Sequence, residues 1–281
     1  MESTLTGGPL YAFDGDRAAE DRRLIAQARL FDPITGPQLR AAGLSPGMHV
    51  LDLGAGAGDT ALLAADLVGP AGSVLGIERS PEAVALARRR VGAAGVRNIR
   101  FIQGDVNALD GVLAEHPEID AVIGRLILMW VPDPAAILRT CAQRLRPDAL
   151  VCFFECDLDI DFTNPRSPLW DRTQFWVEQG IAAIGAEPRM GTKLHRTFRS
   201  AGLPAPHLHQ QTVLASGREA PTWLWVNILR GFLPALETNR ITTADVVDVD
   251  TLEARLTEEI VRTDAVMTLP PVTVAWARVP S

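Results

Sequence analysis

The sequence predicts an α/β fold: a parallel sheet with helices on both faces. Short apolar runs alternate with helix-period segments five times between residues 48 and 155. A glycine cluster, Gly54, Gly56 and Gly58, joins the first apolar run to the helix after it. The chain has 281 residues, 47% of them apolar, enough for a large core that needs no disulfide staples.

In chain order, residues 17–31 place Leu24, Ile25, Ala28 and Phe31 at helical spacing. Asp32-Pro33 is expected to end that helix, because the residue before proline avoids the helical region. A second short helix, 35–43, stops at Gly43. MHVLDLG (48–54) reads as a buried strand running into the glycines. Residues 59–68 return to helix, SVLGIE (73–78) is a strand, and Ser80-Pro81 is an N-cap with proline at the first helical position. NIRFIQ (98–103), IDAVIGR (119–125) and ALVCFFE (149–155) are further strands, with a short helix at 106–115 and a helix from Asp133-Pro134 to Leu145 between them.

Beyond Asp161 the pattern changes. Residues 168–184 form an aromatic-rich helix, and 190–202 a short helix ending at Gly202. HLHQQTVLA (207–215) and PPVTVAWARV (270–279) read as two late strands separated by helices near 218–238 and 243–263. A single sheet is expected to hold all seven strands. The expected organisation is an N-terminal helical lid (1–45), a ligand-binding core (46–160), an aromatic helical cap segment (161–206), and the last two strands (207–281) with a helical insertion at 218–264.

The net charge of −7 argues against a nucleic-acid partner, since phosphates would meet net repulsion. No apolar run reaches the ~20 residues of a membrane helix. The first residues lack a basic start followed by an apolar run, so no signal peptide and a cytoplasmic location are expected. Three cysteines, Cys141, Cys152 and Cys156, fit neither a disulfide framework nor a zinc pattern, and read as small buried hydrophobes. The 27 basic residues include one lysine, Lys193, so only one side chain could form a Schiff base.

The segment VLDLGAGAGDT (50–60) carries the main functional signal. Glycines where a strand passes into a helix allow a ligand to approach the backbone closely, at the carboxyl edge of the sheet. Glu78 ends the second strand, where an acid can accept both hydroxyls of a ribose. Dinucleotides and S-adenosylmethionine both use this geometry. The dinucleotide fingerprint is G-x-G-x-x-G, whereas the third glycine here comes one residue early and Asp59 takes the late position. A carboxylate beside a pyrophosphate is unfavourable, so the spacing favours the sulfonium ligand.

With these residues in place, the chain resembles the class I S-adenosylmethionine-dependent methyltransferases, in particular the small-molecule, ubiquinone/menaquinone-type (type 11-like) branch. The resemblance rests on VLDLGAGAG, SVLGIERSPEAVALAR, FIQGDVNAL and IDAVIGRLILMWVPDPAAILRTCAQRLRPDALVCFFE. It covers residues 46–156 firmly and the late strands loosely. It implies a Rossmann-like seven-stranded sheet of order 3-2-1-4-5-7-6, with strand 7 antiparallel. It implies that Gly54 and Gly56 line the methionine part of the cofactor, that Asp52 orders the turn or approaches the amino group, and that Glu78 binds the ribose. Arg79 would flank the adenine, and Asp105, after Gly104, would accept from its amine while Val106 donates a backbone N–H. Arg125 stands where the family often has Asn or Asp; it pairs with the ligand carboxylate or Asp52, or forms a structural ion pair. No D/N-P-P-Y/F signature follows the fourth strand, which disfavours methylation of DNA or glutamine. Tyr11 and Gln27 lie on the lid, where a mobile segment often covers the cofactor.

Methyl transfer from a sulfonium needs alignment and desolvation, and a base only if the nucleophile must lose a proton. Candidate catalytic residues are Glu155, Asp157 and His195. His207 and His209 share a strand face as a metal pair or as ordinary surface histidines; no metal is expected. Arg88, Arg89 and Arg90 read as a solvated helix face. Trp130, Trp170, Phe175, Trp176 and Trp223 are the candidate substrate contacts, with core packing as the alternative for each, and the insertion is expected to bring at least one aromatic from 223–232 to the pocket. The expected activity is methyl transfer to a small, partly apolar molecule, with S-adenosylhomocysteine as co-product and a homodimer compatible with it. A non-methylating, cyclase-like relative that retains the cofactor and a nicotinamide oxidoreductase are the alternatives. The latter usually needs a tyrosine and lysine four apart, which Tyr11 and Lys193 cannot supply.

Overall fold

A computed structural model describes residues 17–280, with side chains from residue 23 onward. Five strands alternate with helices as expected: β1 (His49–Leu53), α2 (Asp59–Val68), β2 (Ser73–Glu78), α3 (Pro81–Ala93), β3 (Ile99–Gln103), α4 (Leu109–Glu115), β4 (Ala121–Arg125), α5 (Pro134–Arg144) and β5 (Leu150–Cys156), all preceded by α1 (Arg17–Ala41). The caps read from sequence are made: Ser80 Oγ accepts from Ala83 N at 3.2 Å and Asp133 Oδ1 from Ala136 N at 3.0 Å.

The chain continues through β6 (Thr163–Asn164), α6 (Pro168–Ile184), α7 (Met190–Ser200), β7 (His207–Gln211), β8 (Leu214–Ser216), α8 (Trp223–Thr238), α9 (Ala244–Val247), α10 (Val249–Thr263), β9 (Val266–Thr268) and β10 (Val272–Arg278). The main sheet has seven strands in the order β3-β2-β1-β4-β5-β10-β7. Its first five strands are parallel, and β10 runs antiparallel to both β5 and β7. This is the expected order, with β7 and β10 as the sixth and seventh strands.

Side chains alternate across the sheet and build a core on each face. On one face Val50, Ile123, Cys152 and Phe154 pack against Phe31 and Leu39 of α1, Ala61 and Ala64 of α2, and Val84 and Ala87 of α3. On the other, Leu51, Val122, Val151 and Phe153 meet Leu109, Leu138, Leu194 and Phe198. All three cysteines are buried.

Two expectations are corrected. First, α1 does not end at Pro33; it runs on through Pro33 and Pro37 to Ala41. Burial of Phe31, Ile34 and Leu39 holds the helix, and Thr35 Oγ1 donates to the Phe31 carbonyl at 2.9 Å. Packing of this face outweighs proline's poor helix propensity. Second, the late strand at 207–215 divides after Gln211. Its first part joins the main sheet, with Gln210 opposite Thr273. Its second part, β8, pairs with β9 in a separate three-stranded sheet of order β6-β9-β8. Strands of two or three residues carry too little alternation to be read from sequence.

The insertion folds over the carboxyl edge of the main sheet. Helices α6, α8 and α10 pack on one another. A Cβ added at Gly180 of α6 would lie 2.5 Å from the Phe232 ring of α8, so the missing side chain permits this close crossing. Trp225 stacks on Phe162 with ring centroids 3.6 Å apart. Helix α7, in contrast, packs on β5 and β10 of the main sheet. No described helix is long and apolar enough to cross a membrane.

Candidate functional site

The site begins at the turn between β1 and α2. Gly54, Gly56 and Gly58 have φ of 67°, 52° and 84°, a region that residues with a side chain rarely adopt. Gly54 also makes room for the side chain of Ile127: an added Cβ would lie 2.6 Å from its Cδ1. The turn is clamped from α3, where Arg90 donates to the Ala57 carbonyl and to Asp59 Oδ1, both at 2.6 Å. Arg90 is therefore not part of a merely solvated face. It neutralises Asp59 and braces the glycine turn, a role that a partner thirty residues away in sequence gives no periodic signal for.

Glu78 ends β2 beside this turn. Its Oε2 accepts from Gly56 N at 3.0 Å and its Oε1 from Ser80 N at 2.9 Å. A carboxylate has about four acceptor positions, so two backbone donors fix its orientation and leave capacity for a ligand. At the end of β3, Gly104 N donates to the Glu78 carbonyl at 3.0 Å. Asp105 Oδ1 accepts from Asn107 N at 2.9 Å and Asn107 Nδ2 at 2.8 Å; its Oδ2 makes neither bond.

Gly54, Gly56, Glu78, Arg79, Gly104, Asp105, Val106 and Arg125 all line one cavity of about 530 Å³. That volume lies within the ~300–1,000 Å³ of typical small-molecule sites. Asp52 lies under the turn rather than on the cavity wall. It is buried, and its Oδ2 has no hydrogen-bond partner. Burial pushes its carboxyl up to about 7, against the pull of Arg125 and with help from the charges of Glu78 and Asp59. Arg125 Nη1 donates to Asp32 Oδ1 at 2.8 Å and Thr35 Oγ1 at 3.1 Å, tying α1 to the end of β4. Tyr11 lies outside the described residues.

Along the sheet order from β3 toward β5 the lining turns from the acids to an apolar compartment. Its walls are Leu24 and Phe31 of α1, Met129, Trp130 and Val131 after β4, Cys156 at the end of β5, Leu158 beyond it, and Leu224, Ile228 and Phe232 of α8. Gln27 also lines it. Of the five expected substrate contacts only Trp130 lies here. Trp170 and Trp176 are buried in the cap, Phe175 is half exposed on α6, and Trp223 is half-buried at the start of α8; none lines the cavity. The reason is layering: α8 lies against the cavity and α6 packs behind it, through the Gly180–Phe232 crossing. Phe232 is the aromatic that the insertion brings to the cavity, by the i, i+4 and i+8 spacing of Leu224, Ile228 and Phe232.

The three expected catalytic residues are not brought together on the cavity wall. Glu155 is fully buried, and its Oε1 accepts from Ile127 N at 3.0 Å and Leu128 N at 2.7 Å. Burial pushes its carboxyl up to about 8, against those backbone bonds. Asp157 Oδ1 accepts from Thr192 N at 3.0 Å and so caps α7. Burial raises its carboxyl above the ordinary range, against the bonds from Thr192. His195 is exposed on α7. His207 and His209 are exposed on β7, where His207 stacks on Trp276. No group of three His, Cys, Asp or Glu side chains suited to a metal occurs among the described residues.

Residues 44–202 match the family model described as "Methyltransferase domain". The chain is 33% identical over 150 residues to an arsenite methyltransferase of Halobacterium salinarum, a stretch covering 53% of this chain and 37% of that protein. It is 35% identical over 102 residues to a ubiquinone biosynthesis O-methyltransferase of Xylella fastidiosa, covering 36% of this chain and 39% of that protein. The matched region thus spans well under half the length of these curated relatives. Among solved structures, the YcgJ protein of Bacillus subtilis superposes with a TM-score of 0.56 at 19% identity, over 88% of this chain and 98% of that one, a likeness of fold. The family match runs over more than half of the chain, from just before β1 to the end of α7, and takes in the glycine turn, Glu78 and Asp105; the chain belongs to the class I S-adenosylmethionine-dependent methyltransferases, with S-adenosylmethionine as its cofactor.

Proposed function

We propose that this protein transfers a methyl group from S-adenosylmethionine to a small, partly apolar organic molecule. The observation that carries the reading is the two-part cavity: Glu78 and the glycine turn at one end, and an apolar compartment roofed by α8 at the other. The residues present suit the cofactor. Gly54 and Gly56 offer a backbone cradle, and Asp52 holds a buried carboxylate oxygen without a partner beneath it, matched to a cationic amino group. Glu78 would hold the ribose hydroxyls, and Arg79, Asp105 and Val106 would surround the adenine.

When bound, the cofactor supplies an electrophilic methyl group on a sulfonium. The chain's part is then to orient and to exclude water. The segment 126–131 and α8 enclose the apolar compartment, and desolvation there favours attack by a nucleophile held in line. Trp130 can add cation–π attraction for a positively charged centre.

Arsenite, the substrate named for one relative, fits poorly. As(III) would call for several converging soft thiolates. Cys152 and Cys156 lie four residues apart on one strand, roughly 13 Å at strand rise, and Cys141 is on α5, so only Cys156 reaches the cavity. An organic acceptor is therefore favoured. The test is S-adenosylhomocysteine formation by the purified protein given S-adenosylmethionine and a panel of phenols, thiols and amines, together with calorimetry. Acceptor-dependent product and S-adenosylhomocysteine binding without NAD binding are expected. NAD binding without S-adenosylhomocysteine binding would overturn the reading, and conversion of an acceptor with no S-adenosylhomocysteine released would point to a cyclase-like reaction.

A further inference from the structure

We infer that Glu155 is a positioning residue, which holds the segment after β4 against the cofactor turn and so sets the wall along which the methyl group is transferred. The inference rests on the methyltransferase reading for its purpose and on the following geometry for its substance.

The chain leaves β4 under strain. Leu126 has φ of 55°, a left-handed conformation costly for a residue with a branched side chain. Such a conformation persists only where the surroundings over-determine it. A single 3-10 turn, Leu128–Trp130, follows, and the first N–H groups of such a turn have no partner within it. Glu155 supplies that partner from beneath. Its Oε1 accepts from two consecutive backbone donors, Ile127 N at 3.0 Å and Leu128 N at 2.7 Å. The segment is also tied on either side, by Leu126 N to the Phe154 carbonyl at 2.8 Å and by Glu187 N to the Met129 carbonyl at 2.9 Å.

The residue held most directly is Ile127. Its side chain wedges between two glycines: a Cβ would lie 2.6 Å from its Cδ1 at Gly54 and 2.9 Å from its Cγ2 at Gly124. Gly54 belongs to the cofactor turn. The Glu155 carboxyl group thus connects through one peptide N–H and one isoleucine to the backbone that would face the cofactor. The same segment places Met129, Trp130 and Val131 on the apolar compartment. Glu155 itself does not line the cavity, so it acts through this segment rather than on the reacting atoms. Its burial and raised titration suit a carboxyl selected for shape and acceptor position.

The test compares Glu155→Gln, which retains the acceptor oxygen, with Glu155→Leu, which removes it at similar size. Each variant is assayed at a temperature where circular dichroism shows it folded. We expect Glu155→Leu to weaken S-adenosylhomocysteine binding at least tenfold and to speed amide exchange at Ile127 and Leu128 a hundredfold or more. We expect Glu155→Gln to stay within threefold on binding and to keep both amides protected. A role confined to stability would lower the melting temperature of Glu155→Leu without moving either readout, and that result overturns the inference. If Glu155→Leu does not fold, Ile127→Ala removes the wedge and spares the carboxylate. It should weaken binding at least fivefold with the Leu128 amide still protected, and unchanged binding there is contrary evidence. Failure of the methyltransferase reading is a different result: the wild-type protein would not bind S-adenosylhomocysteine, while the pattern of amide protection would stand.

Discussion

The two ends of the cavity are built by different means. At the acid end the cavity-lining groups belong to the ends of β1, β2, β3 and β4, one beside another in a hydrogen-bonded sheet. Each is placed by its own strand and by hydrogen bonds at the strand ends, as Glu78 is by the neighbouring turn's Gly56 and by Ser80. At the apolar end, Phe31, Trp130, Leu158 and Phe232 come from four segments far apart in sequence and meet only through packing. Backbone-built sites tolerate little change, because a side chain or charge there has one job and no substitute. Packing-built sites can change shape while the fold survives. On the proposed function, the acid end serves the cofactor and the apolar end the methyl acceptor.

The largest effect is expected at Glu78. Hydrogen bonds to a charged acceptor contribute about 1.5–3 kcal/mol each, and its loss also frees the backbone of Gly56 and Ser80. Glu78→Ala should weaken S-adenosylhomocysteine affinity at least ~30-fold, about 2 kcal/mol. A folded variant with unchanged affinity by calorimetry would mean that the acid end is not the cofactor end.

A smaller, pH-dependent effect should come from Asp52. Burial raises its carboxyl to about 7, so below that pH the group is mostly protonated and neutral. A cationic amino group favours the ionised form, so binding is coupled to loss of the proton. Affinity should therefore rise several-fold from about pH 6 to about pH 7.5, where an α-amino group is still largely protonated. Asp52→Asn should flatten the profile, and the same slope in the variant would place its source elsewhere.

The smallest effect on cofactor affinity, and a large one on turnover, should follow from Phe232→Ala. Phe232 is buried against Gly180 while lining the apolar compartment. Its removal should cost about 3–5 kcal/mol of stability, as large-to-small core changes do. S-adenosylhomocysteine affinity should stay within ~3-fold, about 0.7 kcal/mol, while acceptor-dependent product formation falls. Loss of both together would join the two ends of the cavity into one unit.

The same division decides what could be read in the sequence. The strand ends, the glycine turn, Glu78 and Asp105 were legible because each carries a signal within a few residues of itself, although the Gly56 and Arg90 contacts that brace Glu78 and the turn are distant in sequence. The order of the sheet followed from the alternation and the family likeness together. The roof was legible only as a need for burial: helical spacing in 218–238 required a covered face, but not which aromatic would meet the cavity. Periodicity marks the buried face of a helix without naming the layer it is buried in, so it does not distinguish Trp170 and Trp176, packed within the cap, from a residue on the cavity wall. Glu155 and Asp157 are legible as acids at the carboxyl edge of the sheet. Their targets, the Ile127 and Leu128 amides and the first turn of α7, depend on tertiary contacts. Arg90 and the small β6-β9-β8 sheet left no local pattern at all.

The most direct test of a cavity with a cofactor end and a substrate end is a crystal structure with S-adenosylhomocysteine bound. The ribose hydroxyls are expected within hydrogen-bond distance of both Glu78 oxygens, the adenine beside Asp105 and Val106, and the sulfur opening toward Met129 and Phe232. Adenosine lodged under α8, with Glu78 making no contact to the ligand, would contradict it.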